Sequence, residues 1–260
     1  MKIATWNING VKARLPVLLE WLRQDEPDVA CLQEIKSIDE AFPGEEIEAL
    51  GYNVITHGQK GFNGVAILSK LRIEDTTAGL PGDPDDEQAR FLEATVATDS
   101  GPLALVSLYL PNGNPVDTPK FDYKLAWMDR LIAWTARRVE TEEPFILLGD
   151  YNVIPHEHDK YDGGSWDDDA LWRPQSRRRL RELIGLGLTD AIEAVGDEPG
   201  RYTFWDYQGG AWPKNKGFRI DHALMSPNAA DRLVSARIES RVRGWEKASD
   251  HVPVVVEIED

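Results

Sequence analysis

The chain carries almost no sulfur chemistry and no surplus of positive charge. A single cysteine, Cys31, among 260 residues excludes an internal disulfide and any cysteine-clustered zinc site. Its setting in DVACLQ makes it a small buried hydrophobe in a reducing compartment. No apolar run approaches the roughly 18 residues that span a bilayer. Met1 runs straight into IATWNING without a basic, apolar or small-residue leader. A cytoplasmic protein with no membrane partner is therefore expected. No Gly/Ser-rich linker divides the chain, so one domain over 1–260 is expected. Lys and Arg total 29 against 45 Asp and Glu, a net charge of −16. That balance is the reverse of what a polyanion binder usually carries. The charges are nonetheless uneven. RPQSRRRLR at 173–181 holds five arginines and no acid, whereas 157–169 holds Glu157, Asp159, Asp162, Asp167, Asp168 and Asp169 against Lys160 alone. Carboxylates gathered around a divalent cation are partly neutralised by it, so net charge leaves the partner open.

Apolar runs predict strands at 2–6, 28–33, 52–56, 65–69, 91–97, 103–108, 145–148, 220–225 and 252–258. Helical spacing predicts helices at 15–24, with Pro16 in the first turn, at 120–139, and at 176–186, with Ser176 as N-cap and arginines outward. A faint echo links IATWNIN to FILLGDYN about half a chain later. It predicts two similar halves, each presenting polar residues from strand ends, with sheets face to face and helices outside.

Those polar strand ends are the chain's most informative feature. Asn7 ends TWNING, Glu34 follows CLQ, Tyr109 ends SLYLPNG, Asp150 and Asn152 end LLGDYN, Asp221 interrupts FRIDHAL, and Asp250-His251 precedes VPVVVEI. Each alone is explained by a turn or a solvated strand end. Six together, if they converge, make a cleft of carboxylates, amides and one imidazole that calls for a cation. Hard oxygen donors without thiolates select Mg²⁺, with Mn²⁺ as a substitute, over zinc. His156 and His158 in IPHEHDKYD offer a zinc alternative, but two histidines in an acidic loop read more simply as solvated.

TWNING, QEIK, YLPNG, GDYN, FRID and SDH, in that order and spread across nearly the whole chain, resemble the exonuclease III family of abasic-site DNA repair enzymes. Its wider relatives are metal-dependent phosphodiesterases that include deoxyribonuclease I. KFDYKLAWMDRL and YTFWDY extend the resemblance toward the bacterial branch. The resemblance implies a four-layer α/β sandwich, two packed mixed β-sheets flanked by helices. It implies Mg²⁺-dependent cleavage 5′ to abasic sites, 3′-to-5′ exonuclease and 3′-end cleaning on double-stranded DNA with abasic or blocked 3′ ends, by a monomer.

By the same resemblance Glu34 ligates the ion, with Asn7, Asp150, Asn152, Asp250 and His251 on or beside it. Asp150 orients or deprotonates the attacking water, and Asn152 donates to the scissile phosphate. Asp221 holds His251, whose protonation decides between phosphorane stabilisation and general-base work; Asp150 and His251 both remain open as the base. Tyr109 bonds the phosphate or assists the leaving group. Asn112 joins the substrate contacts. Phe204, Phe218 and Ile220 line an apolar pocket for a base-less sugar, with Arg219 beside them and Trp212 on a loop that can wedge into a groove. The rivals are a phosphodiesterase or phosphatase acting on RNA or phospho-small molecules, and a DNA-binding protein that has lost catalysis. FRIDHAL lacks the cysteine- and tryptophan-bearing form of inositol phosphatases, and no member of the catalytic set is missing.

Overall fold

Continuous apolar strands are what a sheet buried on both faces requires. In the computed structural model, which describes residues 1–196 and 200–260, the central strands have this character. Among the described residues the strands are β1 (Lys2–Asn7), β2 (Val29–Gln33), β3 (Asn53–His57), β4 (Val65–Ser69), β5 (Ile73–Ala78), β6 (Phe91–Thr98), β7 (Gly101–Tyr109), β8 (Phe145–Asp150), β9 (Thr189–Asp190), β10 (Asp221–Met225), β11 (Leu233–Ile238) and β12 (Val254–Ile258). The helices are α1 (Val11–Asp25), α2 (Gly44–Glu48), α3 (Pro119–Val139), α4 (Pro174–Ile184), α5 (Ala191–Val195) and α6 (Pro227–Ala230). Alternation assigns each side chain a layer. Ile3, Cys31, Leu105 and Ile146 point into the core shared by the two sheets. Trp6 and Leu32 turn outward under α1, while Val106 and Leu147 turn outward under α3 and α4. The result is four layers, helix–sheet–sheet–helix. No helix among the described residues is long and apolar enough to cross a membrane.

One sheet runs β11-β12-β1-β2-β4-β3 and the other β9-β10-β8-β7-β6-β5. Both follow the same succession of pairings: two antiparallel, one parallel, two antiparallel. β1 and β8 hold equivalent places, so the echo between TWNIN and GDYN is a structural repeat. It brings the ends of β1, β2, β7 and β8 and the starts of β10 and β12 to one lip.

Three strands escape the sequence pattern. β5 and β11 are half-exposed edges and β9 is two residues long, so none carries an apolar run. Two helix starts also differ. α1 begins at Val11, which places Pro16 in the second turn, where its missing N–H leaves one helical bond unmade. Ser176 is not a cap. It is buried in the third helical position, donating to the Ala170 carbonyl at 2.7 Å, while Pro174 takes the first position after Arg173.

Candidate active site

Both sheets contribute to the lip. Asn7, buried at the end of β1, donates through Nδ2 to Glu34 Oε1 at 2.9 Å and to Asp150 Oδ2 at 3.0 Å. Its Oδ1 accepts the Asn9 N–H at 3.0 Å, which fixes the orientation of the amide. Asn7 therefore enters the site as a bridge between two carboxylates, beside the oxygens that could hold an ion. Glu34 follows β2 in the left-handed region (φ 49°), and its carbonyl accepts from Gly10 N at 2.7 Å. A non-glycine residue held there is strained, and the bonds of Ile35 N to Gly64 O and Lys36 N to Asn63 O maintain it.

His251 lies between two carboxylates. Its Nδ1 meets Asp221 Oδ2 at 2.8 Å and its Nε2 faces Asp150 Oδ2 at 3.8 Å. Asp221 and Asp150 are register partners on β10 and β8, so the antiparallel ladder sets that spacing. The backbone of His251 is anchored by Trp6 Nε1 on its carbonyl and Ser249 Oγ on its N–H, and the Phe204 ring packs edge-on against the imidazole. The buried valines of β12 hold this assembly at a fixed height. Tyr109 ends β7, hydrogen-bonded to Glu34, with the Arg90 guanidinium 4.8 Å over its ring.

The electrostatics separate the groups. Burial alone would push the His251 imidazolium down, but Asp221 and then Asp150 reverse this and hold it up at about 10. Burial raises the Asp150 carboxyl to about 7, opposed by His251 and reinforced by Asp221. Burial also lifts Glu34, yet the Asn7 amide and the Lys36 ammonium, 2.9 Å from Oε2, bring it below the usual carboxylate range. Tyr109 is raised well above its ordinary value, by burial first and by Glu34 and Asp150 after it. At neutral pH the site thus holds an ionised Glu34, an imidazolium, a protonated phenol and a carboxyl poised between its two forms.

Glu34, Asp150 and His251 present ligand atoms within 4.8 Å of one another, and one buried oxygen of Asp221, Oδ1, has no hydrogen-bond partner. Such an oxygen-rich, anionic group fits a hard divalent ion, with Glu34 as its most strongly ionised donor. A second cluster, His156 with Asp159 and Glu193, does not fit one, because Arg219 already occupies both carboxylates.

Asp250 sits outside the group of three, accepting from Asn9 Nδ2 at 2.9 Å. The Asn152 side chain lies beyond the carboxylates, accepting from Asn112 Nδ2 at 2.9 Å and donating to Leu110 O at 2.9 Å. Arg219 is no surface contact. It is 1 % exposed, clamped by Asp159, Asp190 and Glu193 and touching His222. Ile220 is buried beside Ile154 and Leu171, a support beneath the pocket rather than its wall. Phe204 and Phe218 do line a cavity, of about 510 Å³, together with Tyr161, Trp166 and Lys216. Trp212 lines a separate cleft, edge-on to Trp205 at 4.9 Å. The arginine helix is partly spent on local partners: Arg179 forks onto Asp129 and Arg177 stacks over Trp172, while Arg178 and Arg181 stay exposed.

Three further residues lie outside the set that the sequence singles out. Lys36 pairs with Glu34, Lys124 is buried behind the site, and Phe62 stands 73 % exposed on the β3–β4 turn that braces Lys36. Burial pushes the Lys124 ammonium down to about 7, against the pull of Asp150 and Asp169. QKGFNG, glycine-flanked around an aromatic, was the one available hint of an exposed tip.

Residues 4–251 match the model of the Endonuclease/Exonuclease/phosphatase family. The chain is 34% identical to the exodeoxyribonuclease III of Haemophilus influenzae over 99% of each chain. An AP endonuclease structure from Archaeoglobus fulgidus superposes with a TM-score of 0.94 at 33% identity, covering 100% of both chains. The structure of a 3′ phosphatase, NExo, from Neisseria bound to a product DNA hairpin superposes with a TM-score of 0.93 at 36% identity, over 100% of this chain and 99% of that one.

Proposed function

The chain belongs to the endonuclease/exonuclease/phosphatase family, within its exonuclease III branch, and on that premise we propose that it is a DNA repair nuclease. It cleaves double-stranded DNA 5′ to abasic sites, resects 3′ ends and removes 3′ blocking groups, acting as a single-domain monomer with Mg²⁺, or Mn²⁺ in its place. The observation that carries this reading is the imidazolium of His251 held between Asp221 and Asp150, one Asn7 bridge away from Glu34.

The reaction is attack of water on phosphorus with departure of O3′. An ion held by Glu34 would supply Lewis-acid neutralisation of the phosphate and of the departing oxygen. Asp150 is the proton acceptor. Its pKa of about 7 lets it take the water proton near neutrality. His251, which Asp221 and Asp150 hold in its charged form, instead faces the negative charge that grows on the phosphoryl oxygens. Tyr109, whose phenol keeps its proton, donates a hydrogen bond on the leaving-group side. The Asn152 amide has one N–H committed to Leu110 and the other available to a phosphate oxygen. An unpaired sugar enters the cavity of Phe204 and Phe218, and the exposed ring of Phe62 meets the duplex.

Two duplexes test the reading, one with a single tetrahydrofuran abasic analogue and one with a recessed 3′ end, each with Mg²⁺ and with EDTA. Mg²⁺-dependent products ending in 3′-hydroxyl at the bond 5′ to the analogue support it. Intact strands in both duplexes overturn it.

A further inference from the structure

Behind the lip lies a lysine that the chemistry above leaves without a task. Lys124 sits on the face of α3 that also carries Phe121, Trp127, Met128 and Leu131, all buried. Its side chain has 0 % exposure. A methionine or leucine would fill the same volume without burying an ammonium, so packing alone does not account for a lysine here.

Its hydrogen bonds do. Nζ donates to the backbone carbonyl of Asn152 at 2.5 Å and to that of Asn112 at 3.1 Å. These carbonyls belong to separate loops, one after β7 and the other after β8. The loops are also tied at the level of their side chains, where Asn112 Nδ2 donates to Asn152 Oδ1 at 2.9 Å. Asn152 stands in the left-handed region (φ 47°), and its N–H donates to Asp150 Oδ1 at 2.8 Å. A shift of the Asn152 backbone would therefore move the Asp150 carboxylate with it. The stem of Lys124 reaches this point through a gap left by Gly113, where a Cβ would stand 2.6 Å from Lys124 Cδ.

We propose that Lys124 is a positioning residue whose N–H groups clamp the carbonyls of Asn112 and Asn152, holding both amides and the Asp150 carboxylate at the height of the reacting phosphate. The proposal rests on the nuclease reading above. Lys124 touches neither water nor phosphate; it fixes the two loops that do.

The test is Lys124→Met, measured under single turnover on the tetrahydrofuran duplex with Mg²⁺, beside thermal melting and the same substitution in an Asn112→Ala/Asn152→Ala background. A misplacement of order 1 Å at a reacting group costs about a hundredfold in rate. The clamp predicts that kcat falls by about that factor while KM stays within about threefold. In the doubly substituted background the clamped carbonyls and the backbone contact to Asp150 remain but the amides are gone, so Lys124→Met should cost clearly less than it does in the wild type. Near-native kcat in Lys124→Met overturns the proposal, as does the same loss in both backgrounds, which marks a merely structural role. If Lys124→Met does not fold, Lys124→Leu, which also removes the donor, is read by the same criteria. Failure of the wild type to cut either duplex defeats the nuclease reading; a cutting wild type matched by Lys124→Met defeats only the clamp.

Discussion

Replacing Asp221 by asparagine should neutralise His251 without unfolding the chain. The carboxylate is fully buried, 2.8 Å from Nδ1, and is the principal reason that the imidazolium survives burial. The rise of the His251 pKa from 6.5 to about 10 corresponds to about 5 kcal/mol in favour of the charged ring. With an amide in its place, only the more distant Asp150, at 3.8 Å, and Asp250 oppose desolvation, and the ring should become neutral at pH 7.5. A neutral His251 no longer faces the phosphate with a positive charge, so kcat should fall by about 10²- to 10⁴-fold. The sign of the stability effect follows from the raised pKa. In the wild type the imidazolium stabilises the fold fully below pH 6.5, and that contribution is lost as pH rises through about 10. In Asp221→Asn this alkaline loss should flatten. Histidine-labelled NMR titration, beside single-turnover cleavage, measures both. A variant that cleaves within tenfold of the wild type, or one that loses activity while His251 still titrates near 10, refutes the reasoning.

Arg219→Met should cost about 3–5 kcal/mol in urea denaturation, because Asp159 and Asp190 are left buried and unpaired; a DNA-contact role would instead raise KM at unchanged stability. Phe62→Ala removes an exposed ring far from any core partner, so melting should not move while KM for duplex rises by about fivefold or more, the low end for loss of one stacking contact; unchanged KM would show that the tip does not meet DNA. His251→Gln, like Asp221→Asn, should retain duplex binding in a gel-shift assay with EDTA while losing cleavage, since the imidazolium acts on the phosphate rather than on affinity.

How far the site could be read from the sequence depends on how each residue is held. Asn7, Glu34, Asp150, Asp221 and His251 were legible because each directly bounds an apolar strand, and strand ends are fixed by the sheet itself. Their convergence was legible only through order and repetition, the echo of TWNIN in GDYN being one face of the matched pairing of the two sheets. Arg219, expected beside the apolar pocket of Phe204, Phe218 and Ile220, is instead buried in a clamp of acids. Its acid partners come from residues 26 to 60 positions away, which no local pattern encodes. Lys124 was invisible for a related reason. A lysine on an amphipathic helix ordinarily marks solvent, and only the two loops folded over it reveal that its ammonium points inward. Edge strands β5 and β11 were missed because half-exposed strands lose the apolar run.

The account depends most on a divalent ion held at Glu34 beside Asp150. Calorimetric titration of Mn²⁺ into the metal-free wild type and into Glu34→Gln addresses that directly. The account predicts saturable binding by the wild type, weakened at least about tenfold by the loss of the ionised ligand, with cleavage abolished by EDTA. Equal Mn²⁺ affinity in the two proteins, or cleavage that persists in EDTA, would contradict it.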